Sequence, residues 1–288
     1  MDSNSTHVYY AVNEKYANIT AVSAYSYLKY NTGPITIYLV NCNDLDHAQR
    51  MFSFDSRIII KSLPVNFQNI KSCDGPWYCC RNELMARYYV LDLIKNRYEF
   101  GLNFDADTFF VKRIDFENII MDGYDAAATF WNDRPKDTVP QLGFTIYRCE
   151  HDYNDQIIDS FLLEYDKVYP STKLRVFSNP NFHSPDELLF DHDYKKVKRL
   201  DKSMYNSTSC IWHNTIMYHM SGMTKPWNCK IENQPFGTPW YITNRIKAFT
   251  YWYRYMHEIE DYLDPEFVKK ANCFRNPYRK IFNIYIRK

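Results

Sequence analysis

The sequence has almost no net charge: 35 Lys and Arg stand against 34 Asp and Glu, a balance of +1. A chain so balanced has no global attraction for nucleic acid, and its first half carries no basic stripe to supply a local one. It also lacks any apolar run near the roughly 20 residues that a membrane span needs, and it opens without a basic segment followed by an apolar one. The expected location is therefore the cytosol. The 8 cysteines follow no small-domain disulfide spacing, and Cys79 and Cys80 are adjacent, which suits reduced thiols. A zinc site built from Cys73, Cys79 and Cys80 would match no common ligand spacing. Internal repeats and low-complexity segments are absent. The sequons Asn18-Ile19-Thr20 and Asn206-Ser207-Thr208 are read as accidental in a chain that is not exported.

What is abundant is aromatic: 26 Tyr and 19 Phe in 288 residues. Sugar rings stack on aromatic faces, but a core also consumes such residues, so the excess is only compatible with carbohydrate handling. The length suits one large α/β domain or two small ones. Strand-like and helix-like segments alternate. Val8 to Val12, Ile35 to Val40, Arg57 to Lys61 and Phe100 to Phe104 read as strands, with helices at Lys15 to Lys29, Asp44 to Phe54 and Glu83 to Lys95. Further strands are expected at Asp125 to Phe130 and Leu142 to Arg148, and helices at Asp155 to Tyr165, from Pro185 and at Arg245 to Leu263. Such alternation predicts an α/β fold, a mostly parallel sheet with helices on both faces. Residues 1–238 are taken as one catalytic domain and 239–288 as a helical, basic and aromatic appendage.

Chemistry concentrates at two places. In Asn103-Phe104-Asp105-Ala106-Asp107-Thr108 a short buried strand ends in two carboxylates on one face, at the strand's carboxyl end. Oxygen ligands there suit Mn²⁺ or Mg²⁺ with positions left for a diphosphate. Far downstream, His219-Met220-Ser221-Gly222-Met223-Thr224-Lys225-Pro226-Trp227 supplies a metal ligand, a close-approach backbone and a phosphate cation.

These two motifs, in this order, resemble those of the glycogenin-like, family-eight nucleotide-sugar glycosyltransferases, over roughly Val8 to Trp227. The resemblance implies a Rossmann-like GT-A fold and transfer of a sugar from a UDP-sugar donor to an acceptor hydroxyl, with retention of configuration. It implies Asp105, Asp107 and His219 as ligands of Mn²⁺ (or Mg²⁺), with Ala106, Gly222 and Lys225 near the donor. Val12-Asn13-Glu14-Lys15-Tyr16 matches a Thr-Asn-x-x-Tyr segment, which makes Tyr16 the stacking partner of uracil and Asn13 a neighbour of the uridine; Val12 replaces the threonine, so only its backbone could serve. Arg87 falls where relatives have a cation near the sugar and phosphates. Gln141-Leu142-Gly143 keeps the glycine of an Asn-Ser-Gly or Asn-Thr-Gly stretch but not the polar pair before it. In Ser184-Pro185-Asp186-Glu187, Asp186 matches a catalytic-site aspartate, and Glu187 replaces the usual glutamine. Glu187 reads either as a nucleophile at the anomeric centre or as part of a helix cap with Ser184, and a covalent and a front-face route both stay open.

Expected partners are the nucleotide-sugar donor, a carbohydrate, protein or glycolipid acceptor, and a second copy of the chain in a homodimer, with no nucleic acid. Beyond Glu266 the acidic residues stop and basic and aromatic residues alternate, from Lys269 and Lys270 to Arg287 and Lys288. That tail reads as a peripheral contact with anionic membrane or as a docked segment over the sheet. A non-catalytic nucleotide-sugar-binding relative is the alternative to an enzyme. An aspartate-nucleophile phosphatase is disfavoured, because Phe109 stands where its motif needs Thr or Val.

Overall fold

A computed structural model describes residues 5–65, 81–130, 140–168, 184–221, 225–227 and 239–273. The expectations placed on Cys73, Cys79 and Cys80, on Gly222 and on the tail beyond Cys273 lie outside these residues.

Seven strands form the central sheet: β1 (Thr6–Asn13), β2 (Ile35–Val40), β3 (Ile58–Leu63), β4 (Phe100–Phe104), β6 (Ala126–Phe130), β7 (Pro140–Arg148) and β8 (Val197–Arg199). Their order is β3-β2-β1-β4-β7-β6-β8. The pairs β1–β2, β1–β4, β2–β3 and β6–β8 are parallel, whereas β7 runs antiparallel to both β4 and β6. Six strands therefore end at the same edge, and β7 begins there. The expected α/β class and mostly parallel sheet are present.

Strand alternation gives each face its own core. Val8, Tyr10 and Val12 of β1 with Ile35, Ile37 and Leu39 of β2 face one cluster; Tyr9, Tyr38 and Val40 face the other. On the first face lie α1 (Ala17–Tyr30), α2 (Leu45–Met51) and α7 (Pro239–Glu258); on the second lie α3 (Arg81–Ile94), α4 (Asp155–Val168) and α5 (Pro185–Asp193). Trp252 of α7 is fully buried in the first cluster, a position where truncation to Ala costs about 3–5 kcal/mol. A short turn of 3₁₀ helix, Glu14–Tyr16, comes between β1 and α1, so α1 begins two residues later than its apolar pattern suggests.

A second, two-stranded sheet pairs β5 (Thr108–Phe110) with β9 (Met217–His219) in antiparallel register, Thr108 opposite His219. A four-residue helix, α6 (Lys202–Tyr205), precedes it. The hydroxyls of α1 hold this small sheet in place. Ser23 Oγ lies 3.1 Å from Thr108 Oγ1 and 2.6 Å from the Tyr10 hydroxyl, and the Phe110 N–H donates to Ser26 Oγ at 2.9 Å. The apparent interruption of α1 by polar residues is thus a row of satisfied buried hydrogen bonds. No helix among the described residues is long and apolar enough to cross a membrane.

Candidate active site

The chain leaves β4 at Phe104 and turns at once. Asp105 N–H donates to the Gly143 carbonyl at 3.2 Å, and Thr108 Oγ1 returns a 2.8 Å bond to the Asp105 carbonyl. This tight turn hands the chain to β5 and leaves Asp105 and Asp107 at the carboxyl edge of the sheet. Pairing of Thr108 with His219, and a 2.9 Å bond from the Met220 N–H to the Asp107 carbonyl, bring β9 alongside. His219 Nε2 then lies 3.1 Å from Asp107 Oδ1 and 3.6 Å from Asp105 Oδ2. One ligand atom from each of the three residues falls within 4.8 Å of the others.

Asn206 decides which way the imidazole works. Its Nδ2 donates to Thr129 Oγ1 (2.9 Å) and to the Gln141 carbonyl (3.1 Å), so its Oδ1 faces His219 Nδ1 at 2.9 Å. An oxygen there accepts, which puts the proton on Nδ1 and a lone pair on Nε2. That lone pair and two carboxylates converge, an O, O, N donor set suited to Mn²⁺ or Mg²⁺. Asn206 is fully buried, so its sequon is no exposed glycan acceptor; Asn18, in the other sequon, accepts from the Asp264 N–H at 2.9 Å. Sequence reasoning missed Asn206 because the sequon was the only pattern visible there.

Gly143 keeps the room the imidazole needs. A Cβ at this position would lie 2.4 Å from His219 Nδ1 and 2.9 Å from Asn206 Oδ1. The glycine is required by close approach alone.

Arg87, buried on α3, is the hub of the charges. Its Nη2 donates to Asp105 Oδ1 at 3.0 Å and lies 3.5 Å from Asp186 Oδ2, while Nη1 donates to the Leu142 carbonyl at 3.1 Å. Burial opposes its charge, but Tyr147, Asp105 and Asp186 outweigh that and hold the guanidinium charged. Burial raises the Asp105 carboxyl, an effect that the Arg87 guanidinium partly offsets. Burial acts on Asp107 too, yet the Lys225 ammonium holds it well below the usual carboxylate range. Lys225 Nζ bonds Asp107 Oδ2 and the Met220 carbonyl. The loop that carries it is fixed from behind: Tyr253 of α7 donates its hydroxyl to the Pro226 carbonyl (2.7 Å), and Trp227 packs on Trp252 with ring centroids 5.2 Å apart.

Asp186 and Glu187 behave differently although adjacent. Asp186 is 3% exposed, its carbonyl accepts from the Tyr88 hydroxyl at 2.6 Å, and its Oδ1 has no hydrogen-bond partner among the described residues. Glu187 Oε2 accepts from the Ser184 N–H at 3.0 Å and completes a capping box at the start of α5, with Pro185 as the first helical residue. Its carboxylate is turned back along the helix. On the far side of β4, β1 ends at Val12 and Asn13, with the Val12 side chain in the core and Tyr16 38% exposed. Ala106 sits half-buried between the two carboxylates. The structure thus brings Arg87, Asp105, Asp107, Asp186, His219 and Lys225 into one constellation and sets Val12, Asn13 and Tyr16 one strand away.

No family model and no curated protein matches the chain. Solved structures do. The galactosyltransferase LgtC, crystallised in complex with donor and acceptor sugar analogues, superposes with a TM-score of 0.56 at 12% identity, over 92% of this chain and 99% of that one. The fold is a GT-A glycosyltransferase fold. A structure of an LgtC active-site mutant, with glutamate in place of a glutamine, matches at a TM-score of 0.52 and 13% identity, over 86% and 95% of the two chains. The apo glycosyltransferase GlyE of Streptococcus pneumoniae matches at 0.53 and 13%, over 96% of this chain and 64% of its own. In this GT-A fold the constellation lies where α/β sheets take their ligands, outside the carboxyl ends of the strands and beside the β1–β4 switch point.

Proposed function

We propose that the chain is a glycogenin-like retaining glycosyltransferase that moves a sugar from a UDP-sugar to an acceptor hydroxyl. The observation that carries this reading is the convergence of Asp105, Asp107 and a His219 lone pair beside the buried Arg87–Asp186 pair. The GT-A fold supports it, as does the binding of donor and acceptor sugar analogues by LgtC. Asp105, Asp107 and His219 would hold Mn²⁺ or Mg²⁺. When bound, the cation supplies Lewis-acid stabilisation of the departing diphosphate.

The other roles follow from the side chains. Lys225 supplies a positive charge at the diphosphate, where charge grows as the bond to the anomeric carbon breaks. Tyr16 offers its exposed ring to the uracil, with Asn13 beside it. Asp186 points a buried acceptor, Oδ1, at the sugar and stabilises positive charge that develops on the ring; Arg87 holds it in place. As the anomeric carbon parts from the diphosphate it bonds the acceptor oxygen, and the hydroxyl proton passes to the released diphosphate. With its carboxylate committed to the Ser184 N–H, Glu187 positions the α5 N-terminus and with it Asp186, which favours the front-face route over a covalent adduct.

A panel of nucleotide sugars, each assayed for hydrolysis with Mn²⁺ and with excess chelator, tests the reading, together with calorimetry of UDP against GDP. Hydrolysis of a UDP-sugar that needs the metal and disappears in Asp107→Ala is expected. Metal-independent UDP binding, or tighter binding of GDP than of UDP, would overturn it.

A further inference from the structure

Consecutive residues of α3 hold Asp186 at two points. Arg87 Nη2 lies 3.5 Å from its Oδ2, and the Tyr88 hydroxyl donates to its carbonyl at 2.6 Å. The helix is itself fastened to the sheet. Tyr9 of β1 donates its hydroxyl to the Arg87 carbonyl at 3.0 Å, and the guanidinium reaches Asp105 and the Leu142 carbonyl. The two contacts to Asp186 fix different things. An ion pair at 3.5 Å gives the carboxylate a direction but lets the residue that carries it shift. A hydrogen bond to the main chain fixes the first turn of α5, and so the place from which the carboxylate starts.

The surroundings of Tyr88 fix its hydroxyl. The ring is fully buried, with the Tyr153 centroid 4.9 Å away and the Tyr147 centroid 5.9 Å away. Rings on two sides leave the phenol little freedom to turn. Burial first, then Tyr147 and Asp186, raise its pKa well above the ordinary value, so it keeps the proton that it donates. Packing alone would be served by phenylalanine, because a buried hydroxyl gives the core nothing beyond its bond.

We infer that Tyr88 is a positioning residue of the transfer reaction: its hydroxyl is the strut that sets the α5 N-terminus where Asp186 meets Arg87 and faces the sugar. The inference rests on the glycosyltransferase reading for the task of Asp186, whereas the strut itself does not. It adds a main-chain arm to the side-chain arm that Arg87 supplies. Glu187 holds the same turn through the Ser184 N–H, so that turn is braced from within its helix and from across the core.

Tyr88→Phe removes the hydroxyl and keeps the ring, and Tyr153→Phe is the matched control. The Tyr153 hydroxyl lies in the same packing but donates to the Tyr194 hydroxyl, at 3.2 Å. Both variants should lose about 2–4 °C of melting temperature. In metal-dependent UDP-sugar hydrolysis, kcat is expected to fall about 10- to 100-fold in Tyr88→Phe, with KM and UDP affinity unchanged. In Tyr153→Phe it should stay within about twofold. Added to Asp186→Asn, Tyr88→Phe should cost less than about twofold more, because it acts through Asp186. An equal kcat loss in the two tyrosine variants, a change confined to KM, or full additivity with Asp186→Asn would overturn the inference. Crystal structures of the wild type and both variants read the strut without turnover. The separation of Arg87 from Asp186 should lengthen by about 0.5 Å or more in Tyr88→Phe alone, and unchanged geometry there would overturn the inference as well. An active wild type whose Tyr88→Phe matches the control keeps the proposed function and loses the inference. A wild type that turns over no UDP-sugar loses that function, and with it the catalytic task of Tyr88, even where the displacement shows the strut.

Discussion

Replacing Gly143 by alanine adds one methyl group and strikes His219, a proposed metal ligand, without touching it in sequence. The new Cβ would stand 2.4 Å from His219 Nδ1, 2.7 Å from His219 Cε1 and 2.9 Å from Asn206 Oδ1. Ordinary contact needs about 3.5 Å, so the imidazole must retreat by about 1 Å. It has little room to do so. Asn206 behind it is fully buried and tied to Thr129 and Gln141. Overpacking of this kind costs about 1–3 kcal/mol. Metal ligation tolerates far smaller displacements, so Mn²⁺ affinity should fall by at least the 10- to 100-fold typical of a lost supporting partner. Calorimetric titration with Mn²⁺ and a thermal melt read the two effects separately. His219→Ala in the same chain should restore most of the lost stability, because the ring that was struck is gone. Unchanged Mn²⁺ affinity and unchanged melting in Gly143→Ala would refute the reasoning.

Two other outcomes are expected. Glu187→Gln keeps an acceptor for the Ser184 N–H, so stability should change by less than about 1 kcal/mol and turnover should fall only modestly; a loss of several orders of magnitude in single-turnover assays would show a covalent role instead. His7 is buried against Tyr38 and its pKa is pushed down from 6.5 to about 4, by burial first and then by Lys61. The unfolded chain therefore binds the proton more readily, and stability should drop by about 3 kcal/mol as pH falls from about 6.5 to about 4. Denaturant melts across that range should show the slope in the wild type and a flatter profile in His7→Gln.

Most of the sheet was legible in the sequence because its strands are five or more residues long and flanked by turn residues. Strands β5, β8 and β9 have three residues each, too few for any period to register, and they were not anticipated. That gap mattered, since the pairing of β5 with β9 is what carries His219 to Asp107. The two motifs named the ligand candidates, but motif reading has no term for what stands behind a ligand. Asn206 and the steric need for Gly143 are relations between residues 13 and 76 positions from His219, set by the fold. Glu187 was ambiguous for another reason: one carboxylate at the third position of a helix serves a cap and a reaction equally well on paper, and only its bond to Ser184 separates them.

Arg87 has a consequence at the scale of the whole constellation. A single nitrogen, Nη2, meets both Asp105 and Asp186, and its sister nitrogen is pinned to the Leu142 carbonyl. In the proposed site Asp105 belongs to the metal side and Asp186 to the sugar side, so one rigid planar part would set the gauge between them. A cation that draws Asp105 away leaves the guanidinium charge to Asp186 alone. The two halves of the site can thus answer each other through one atom.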